Sequence, residues 1–478
     1  MVFSSAIFLF AFLPAVFILS RLCRDLRAQN ALLAAASIVF YAFGQLRYVP
    51  LFLLSVCINY LAGRLLLSVR RRKAVLALAV VLDLGILAVF KYTDFVLENL
   101  GLLLHTSIPL PGILLPIGIS FFTFQGMSYV IDTYRDPANG TRDFLKLLLY
   151  ISFFPQLIAG PIVKYHDVAD QIDGRRCTLE ETAQGVRRFI RGLAKKILVA
   201  DTVGYLADLV FGDCLHGVYG APDTRVLWLG VVCYTLQIYY DFSGYSDMAI
   251  GLGHMFGFRF RENFLFPYGA ASIRDFWRRW HVSLSSWFKE YLYIPLGGNR
   301  RGKARTALHK LLVFLCTGIW HGANWTFVLW GLGHGLLASL EDWGVIPAEK
   351  LRKSGAGRLV CRLYTLLAVA LLFAVFRADS LRDAAALFSA LFSPRVTTAG
   401  SLLLARFCTP AFLLVFVLAV LLAGDLVPRL RARLWPAGFE AARPAWQVCA
   451  SLGSLLLLIL SVLCLAKGGF HPFIYFQF

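Results

Sequence analysis

The chain has 478 residues, of which 58% are hydrophobic and 16% charged, and a formal net charge of +19. That composition excludes a soluble globular protein of this length. The basic residues sit at the ends of apolar runs, where they orient a membrane protein and meet anionic lipid, so the charge does not point to nucleic acid. Several runs approach the roughly 20 apolar residues that a crossing helix needs, and the short alternating segments of a β-barrel are missing. The expectation is an all-α polytopic membrane protein of about ten to twelve spans plus re-entrant or interfacial helices.

The first run, Val2 to Ser20, has no basic segment before it and is followed by Arg21, Arg24 and Arg27. It reads as a retained span starting outside, not as a cleaved secretory signal. Ala31 to Phe43 and Val49 to Ser68 are the next spans, with Gln45-Leu46-Arg47 as an outside turn. Arg70, Arg71, Arg72 and Lys73 mark the inside. Ala74 to Phe90 follows, with Asp83 in mid-run; a functional role is open, and a hydrogen bond to a neighbouring helix is the expectation. Gly101 to Pro116 reads as a Pro-rich connection, and Ile117 to Ile131 as a run broken by Gly118 and Gly126. Phe144 to Ile158 comes next, then a basic cytoplasmic stretch from Lys164 to Lys196. In/out parity requires one of those two apolar runs to be a half-helix or re-entrant segment. Further spans are Ile197 to Phe211, Val226 to Tyr240, Leu363 to Phe376, Ala411 to Leu426 and Val448 to Leu465, with a short interfacial helix from Leu381 to Phe392. The whole reads as one integral membrane domain over 1–478: N-terminal spans in 1–100, a core in 110–345 and C-terminal spans in 358–478. No internal repeat is visible. The ten cysteines are scattered without a CxxC pair, which suits small buried hydrophobes better than disulfides or zinc.

Three stretches carry chemistry. Thr317 to Trp325 places His321 between Trp320 and Trp325 at a glycine-flanked break between two apolar runs. An ionisable residue at membrane depth is costly unless it faces a protein-lined or wet cavity, so function and a buried, carbonyl-bonded histidine are the two readings. Ile273 to Tyr291 reads as an amphipathic helix. At 100° per residue Arg274, Arg278, His281 and Ser285 share one face, while Trp277, Trp280, Leu284, Trp287, Phe288 and Tyr291 share another. A basic stripe beside a histidine suits an anionic ligand, and equally a headgroup-facing surface. Tyr239 to Asp247 puts Asp241 and Asp247 in an apolar helix, too far apart in helical spacing to face each other; interhelical contacts and a site role are both open. His334, among Gly331, Gly333 and Gly335, reads as structural. No GxSxG elbow and no HExxH spacing is present, which argues against a serine triad or a metal.

Taken together, Trp320-His321-Gly322, Arg278-Arg279-Trp280-His281-Val282-Ser283-Leu284-Ser285 and Asp241-Phe242-Ser243-Gly244-Tyr245-Ser246-Asp247 resemble the membrane-bound O-acyltransferases. The resemblance narrows to the bacterial alginate O-acetyltransferase subfamily through Val2-Phe3-Ser4-Ser5, Phe12-Leu13-Pro14, Ala159-Gly160-Pro161-Ile162, Glu262-Asn263-Phe264, Pro267-Tyr268 and Pro472 to Phe478. It extends to teichoic acid D-alanyl transferases and peptidoglycan O-acetyltransferases. It implies a helical shell around a tunnel, with His321 catalytic and His281 its companion. It also implies an acyl group, usually acetyl, taken from a cytoplasmic thioester and delivered across the bacterial inner membrane to a hydroxyl. Acetyl-coenzyme A or an acyl carrier would be the donor, with no permanently bound cofactor. The acceptor would be an extracytoplasmic polysaccharide, or an SGNH-hydrolase-like partner that modifies one. Within this reading Arg274, Arg278 and Arg279 are candidates for the phosphates of coenzyme A. Trp280, Ser285, Trp320, Asn324, Asp241, Tyr245 and Asn263 are the remaining candidate substrate contacts. A transporter or flippase for a lipid-linked saccharide, D-alanyl transfer to teichoic acid, and a scaffold subunit for a catalytic partner are the alternatives.

Overall fold

The computed structural model describes residues 1–300, 302–434, 444–467 and 473–474. Arg301 of the expected basic loop, Trp446 and most of the Pro472 to Phe478 motif lie outside the residues whose side chains are described. Every described regular element is a helix. The chain forms two compact units, residues 1–189 with 245–262 and residues 190–244 with 263–478.

The first unit opens with a π-turn, Phe8–Phe12, running into α1 (Leu13–Leu22). It continues through α2 (Leu26–Gln45), α3 (Val49–Leu66), α4 (Arg72–Leu104), α5 (Ile119–Arg135), α6 (Phe144–Ser152), α7 (Phe154–Leu157) and α8 (Tyr165–Gly174). Its centre is aromatic, with Phe3, Phe8, Phe40, Phe52, Phe122 and Phe154 fully buried. Asp83 meets its expected partner: Asn59 Nδ2 on α3 donates to Asp83 Oδ1 on α4 at 3.0 Å. Two boundaries differ from expectation. The helix begun at Arg72 runs on to Leu104, past the start of the supposed connection, and ends where His105 turns left-handed (φ 51°). Gly126 does not break α5; a Cβ there would collide with the Asn59 amide, so the glycine is the socket that lets Asn59 approach. Of the two runs in question for parity, the second is interrupted. α6 has nine residues and ends at Phe153, whose backbone turns extended before α7 begins. Nine residues rise about 14 Å, half of a hydrocarbon core of about 30 Å.

α9 (Leu179–Ala194) and, further on, α11 (Thr224–Met255) each divide between the units. Between them, in the second unit, lie a π-turn (Lys195–Ala200) and α10 (Asp201–Leu209). After α11 come α12 (Ile273–Trp277), α13 (Val282–Phe288), α14 (Lys303–His321), α15 (Trp325–Trp343), α16 (Ala348–Leu351) and α17 (Gly355–Arg377). The series ends with α18 (Leu381–Leu391), α19 (Thr398–Phe407), α20 (Pro410–Ala423), α21 (Leu426–Leu434) and α22 (Pro444–Ala466). Asp241 and Asp247 of α11 have separate partners. In the second unit the Lys196 ammonium lies 2.8 Å from both Asp241 and Asp201, and Asp241 Oδ2 accepts from the Ile474 backbone N–H at 2.7 Å. In the first, Arg188 Nη2 reaches Asp247 and Glu262, each at 2.6 Å.

Among the described residues four helical stretches are long and apolar enough to cross a membrane: Leu26–Leu66, Arg72–Leu104, Gly355–Arg377 and Val448–Ala466. α19 and α20, bent by 81°, make a fifth if taken as one span. Leu26–Leu66 has 41 residues, enough for two crossings of about 20 each, with the helical path interrupted at Gln45 (φ −139°). The other expected crossings fall on helices that are shorter, broken or more polar. Apolar surface left uncovered on such helices is what a lipid solvent requires. Cys449 and Cys464, expected to be buried, are exposed for this reason: they lie on α22, which the rest of the protein scarcely covers.

Candidate active site

The site residues of the second unit gather where α12–α13, α14–α15 and α17 meet. Ile273 to Tyr291 is not one amphipathic helix. α12 stops at Trp277, the chain turns through Arg278 to His281, and α13 starts at Val282. His281 itself is left-handed (φ 44°, ψ 54°). The common face expected for Arg274, Arg278, His281 and Ser285 therefore does not exist, because helical angles do not carry through a non-helical tetrapeptide. The arginines disperse. Arg274 pairs with Asp342 at 2.9 Å and Arg279 with Asp275 at 3.0 Å, while Arg278 is exposed with no side-chain partner among the described residues. Glu341 fixes the start of α12 by accepting from the Ile273 and Arg274 backbone N–H groups at 2.6 and 3.2 Å.

The break serves His281, which is fully buried. Asn263 Oδ1 accepts from the Ser283 backbone N–H at 3.1 Å and from Ser283 Oγ at 2.9 Å, and it lies 3.2 Å from His281 Nδ1. A backbone N–H can only donate, so the Asn263 atom it reaches is the oxygen. His281 Nδ1 facing that oxygen must then carry the hydrogen. In the neutral ring this leaves a lone pair on Nε2, which has no hydrogen-bond partner among the described residues. Phe242 stands edge-on to the ring at 4.5 Å.

His321 is the last residue of α14, at the tip of the α14–α15 hairpin. The hairpin is tight because it is built on glycines. A Cβ at Gly318 would strike the Phe327 carbonyl, and one at Gly331 the Phe314 carbonyl. The Asn324 side chain accepts from the Thr326 N–H to start α15, and its Nδ2 donates to the Asp379 carbonyl at 2.8 Å. The buried His321 ring is caged edge-on by Trp320, Trp330 and Phe376 at 4.9, 5.1 and 5.2 Å. Trp320 also meets His281 at 6.1 Å, so one indole touches both imidazoles.

The remaining candidates are placed as follows. Trp280 is a buried anchor, stacked on Phe276 at 5.4 Å. Ser285 is half-buried, its hydroxyl 3.4 Å from the Trp280 carbonyl. Asp241 is buried and held by Lys196. Tyr245 belongs to the first unit, where it stacks on Phe3 at 4.5 Å. His334 lies in an aromatic box, parallel to Phe276 and edge-on to Trp277 and Trp330. Ser283, Phe242, Trp330, Phe376 and the Glu341-Asp342 pair were not singled out from the sequence. The acidic pair was findable: two carboxylates closing an apolar run are natural counter-charges for the arginines of α12.

Residues 91–343 match the family model of MBOAT, the membrane-bound O-acyltransferase family. The chain belongs to that family. The match holds Asn263, His281 and His321 and stops at Trp343, the end of the hairpin that carries His321. Curated membrane-bound O-acyltransferases extend the likeness to the full chain. A probable alginate O-acetylase, AlgI, of Azotobacter vinelandii is 38% identical over all of both chains. Its counterpart in Pseudomonas aeruginosa is 43% identical over 82% of this chain and 75% of its own. A peptidoglycan O-acetyltransferase of Helicobacter pylori is 35% identical over 80% of this chain and 78% of its own. The protein is thus a multi-pass membrane O-acyltransferase of the alginate O-acetylase type.

Proposed function

We propose that this acyltransferase moves an acetyl group from a cytoplasmic thioester across the bacterial inner membrane to a hydroxyl. The hydroxyl belongs to an extracytoplasmic polysaccharide or to a partner enzyme that acetylates one. The acetyl group and the saccharide acceptor are read from the names of its relatives. His321 is the general base. As the acceptor oxygen attacks the thioester carbonyl, imidazole takes its proton; the new C–O bond forms, the C–S bond breaks, and the departing thiolate recovers a proton from the imidazolium. His281 presents a bare Nε2, so in its neutral form it accepts a hydrogen bond from substrate and does not donate one to an oxyanion. Asn263 is a positioning residue that sets this tautomer. A thioester is already reactive, so holding donor and acceptor in register carries much of the barrier.

The observation that carries the reading is the convergence of both imidazoles on Trp320, with His281 holding a buried ring nitrogen that has no partner among the described residues. The test uses purified protein in nanodiscs with radiolabelled acetyl-coenzyme A, or an acetylated carrier protein, and a saccharide or SGNH-like acceptor. His321→Ala is expected to abolish label transfer while leaving the protein folded and the donor bound. Transfer that persists in His321→Ala overturns the assignment.

A further inference from the structure

The first unit contains a cavity of about 260 Å³, lined by Ser20, Arg21, Gln29, Leu33, Arg175 to Cys177, Met255 and Phe256. It holds three guanidinium groups and no carboxylate. Among the described residues none of the three arginines forms an ion pair. Two of them are fixed in place. Arg21 donates to the Cys177 carbonyl at 3.1 Å and to Thr182 Oγ1 at 2.6 Å. Arg175 donates to the Phe256 carbonyl at 3.0 Å and to Asn30 Oδ1 at 2.6 Å, and lies over the Phe258 ring at 4.5 Å. Arg175 Nη2 is buried without an acceptor. Burial pushes the Arg175 guanidinium down to about 10, so it is still protonated at neutral pH, and no carboxylate offsets that burial. Arg176 is exposed at the rim, with no side-chain partner among the described residues.

A fixed, half-buried guanidinium such as Arg175 is costly without a counter-charge unless an anion completes it; Arg21 and Arg176, exposed beside it, add like charge, and the planar forks match phosphate oxygens. The volume is below the roughly 300 Å³ at which pockets begin to take whole drug-sized ligands, so a phosphate-bearing end group fits and an entire coenzyme does not. We propose that the cavity formed by Arg21, Arg175 and Arg176 is a binding site for a phosphate ester. Two sources share that chemistry: the phosphorylated end of a nucleotide-type thioester donor, and the headgroup of an anionic phospholipid. Only the first rests on the acyl-transfer reading above.

The test measures binding, not turnover, so it stands whether or not acyl transfer is observed. Adenosine 3′,5′-bisphosphate is titrated calorimetrically into the full-length protein in zwitterionic nanodiscs, and phosphatidylglycerol retention is followed by native mass spectrometry. Arg176→Gln removes an exposed, unpartnered cation and leaves the fold intact. It is expected to weaken the bound species roughly tenfold, as loss of one charge-assisted contact does. Arg176→Glu is expected to abolish binding. A dependence seen only with the soluble bisphosphate assigns the donor, and one seen only with the lipid assigns the headgroup. Binding that is absent, or indifferent to both variants in both arms, overturns the site.

Discussion

Asn263 Oδ1 faces three donors at once, two from Ser283 and one from His281. An oxygen with two lone pairs so engaged cannot be exchanged for a methyl group without releasing the imidazole. Asn263→Leu is expected to lower the turnover of acetyl transfer by about 100-fold, the lower end of what a positioned acid–base group contributes, with little change in donor KM. Asn263→Asp offers the same acceptor and is expected to restore most of the activity. If both variants fell equally, Asn263 would be a packing residue and not a tautomer lock. This contact was half legible: Asn263 and His281 both lie in motifs that resemble the family, but their separation of 18 positions gave no sign of a shared hydrogen bond. Side-chain orientation across a loop is a tertiary property, and no spacing rule encodes it.

Elements were more legible than contacts, because apolar runs and caps are local. α17 and α22 follow from composition alone, and so does α4 up to Phe90 but not its extension to Leu104. The error at Ile273 to Tyr291 had a physical cause: periodicity assumes continuous helix, and Asn263, distant in sequence, takes the Ser283 N–H and faces His281, holding the non-helical turn that separates α12 from α13. Three predictions belong at this scale. Gly318→Ala forces a methyl against the Phe327 carbonyl and is expected to cost about 1–3 kcal/mol, seen as a lower unfolding midpoint in detergent. Lys196→Met leaves Asp241 buried without its cation and is expected to cost about 3–5 kcal/mol, whereas Lys196→Met with Asp241→Leu recovers much of it; a double variant no better than the single would remove the pair from the account. α9 begins in a capping box, Thr178 with Glu181, and Arg259 together with the Thr178 N–H holds the Glu181 carboxyl down at about 2, against 4.5 ordinarily. A carboxyl whose folded pKa is depressed stabilises the fold fully above the unfolded value and loses that contribution as pH falls through the folded one. The thermal advantage of wild type over Glu181→Gln should therefore be level from pH 7 to about 5 and shrink below 4.5. An advantage that does not change down to pH 3 counts against the cap.

At the scale of the molecule, the family and its membrane setting were legible because they depend on sums: apolar content, basic ends, the order of several weak motifs. The number of crossings was less so. Where a helix such as α11 or α15 carries polar residues that protein neighbours satisfy, hydropathy understates its capacity to lie at membrane depth. Where one is bent, as between α19 and α20, a single apolar stretch yields two directions. Polar groups such as Lys196 and Asp241 are tolerated because each completes the other, and sequence lists the charges without showing the pairing.

The left-handed backbone at His281 bears on how its side chain can be studied and how it can vary. A residue in that region carries a cost of about 1–2 kcal/mol unless it is glycine, with asparagine and aspartate the most tolerant of the others. An alanine scan at this position thus alters the backbone as well as the imidazole, and its result mixes folding with chemistry. Asparagine keeps the turn and removes the ring; valine keeps neither. Comparing the two separates what the position contributes as geometry from what it contributes as a hydrogen-bond acceptor. The same filter makes glycine, then asparagine and aspartate, the replacements most accessible to drift, and β-branched residues the least.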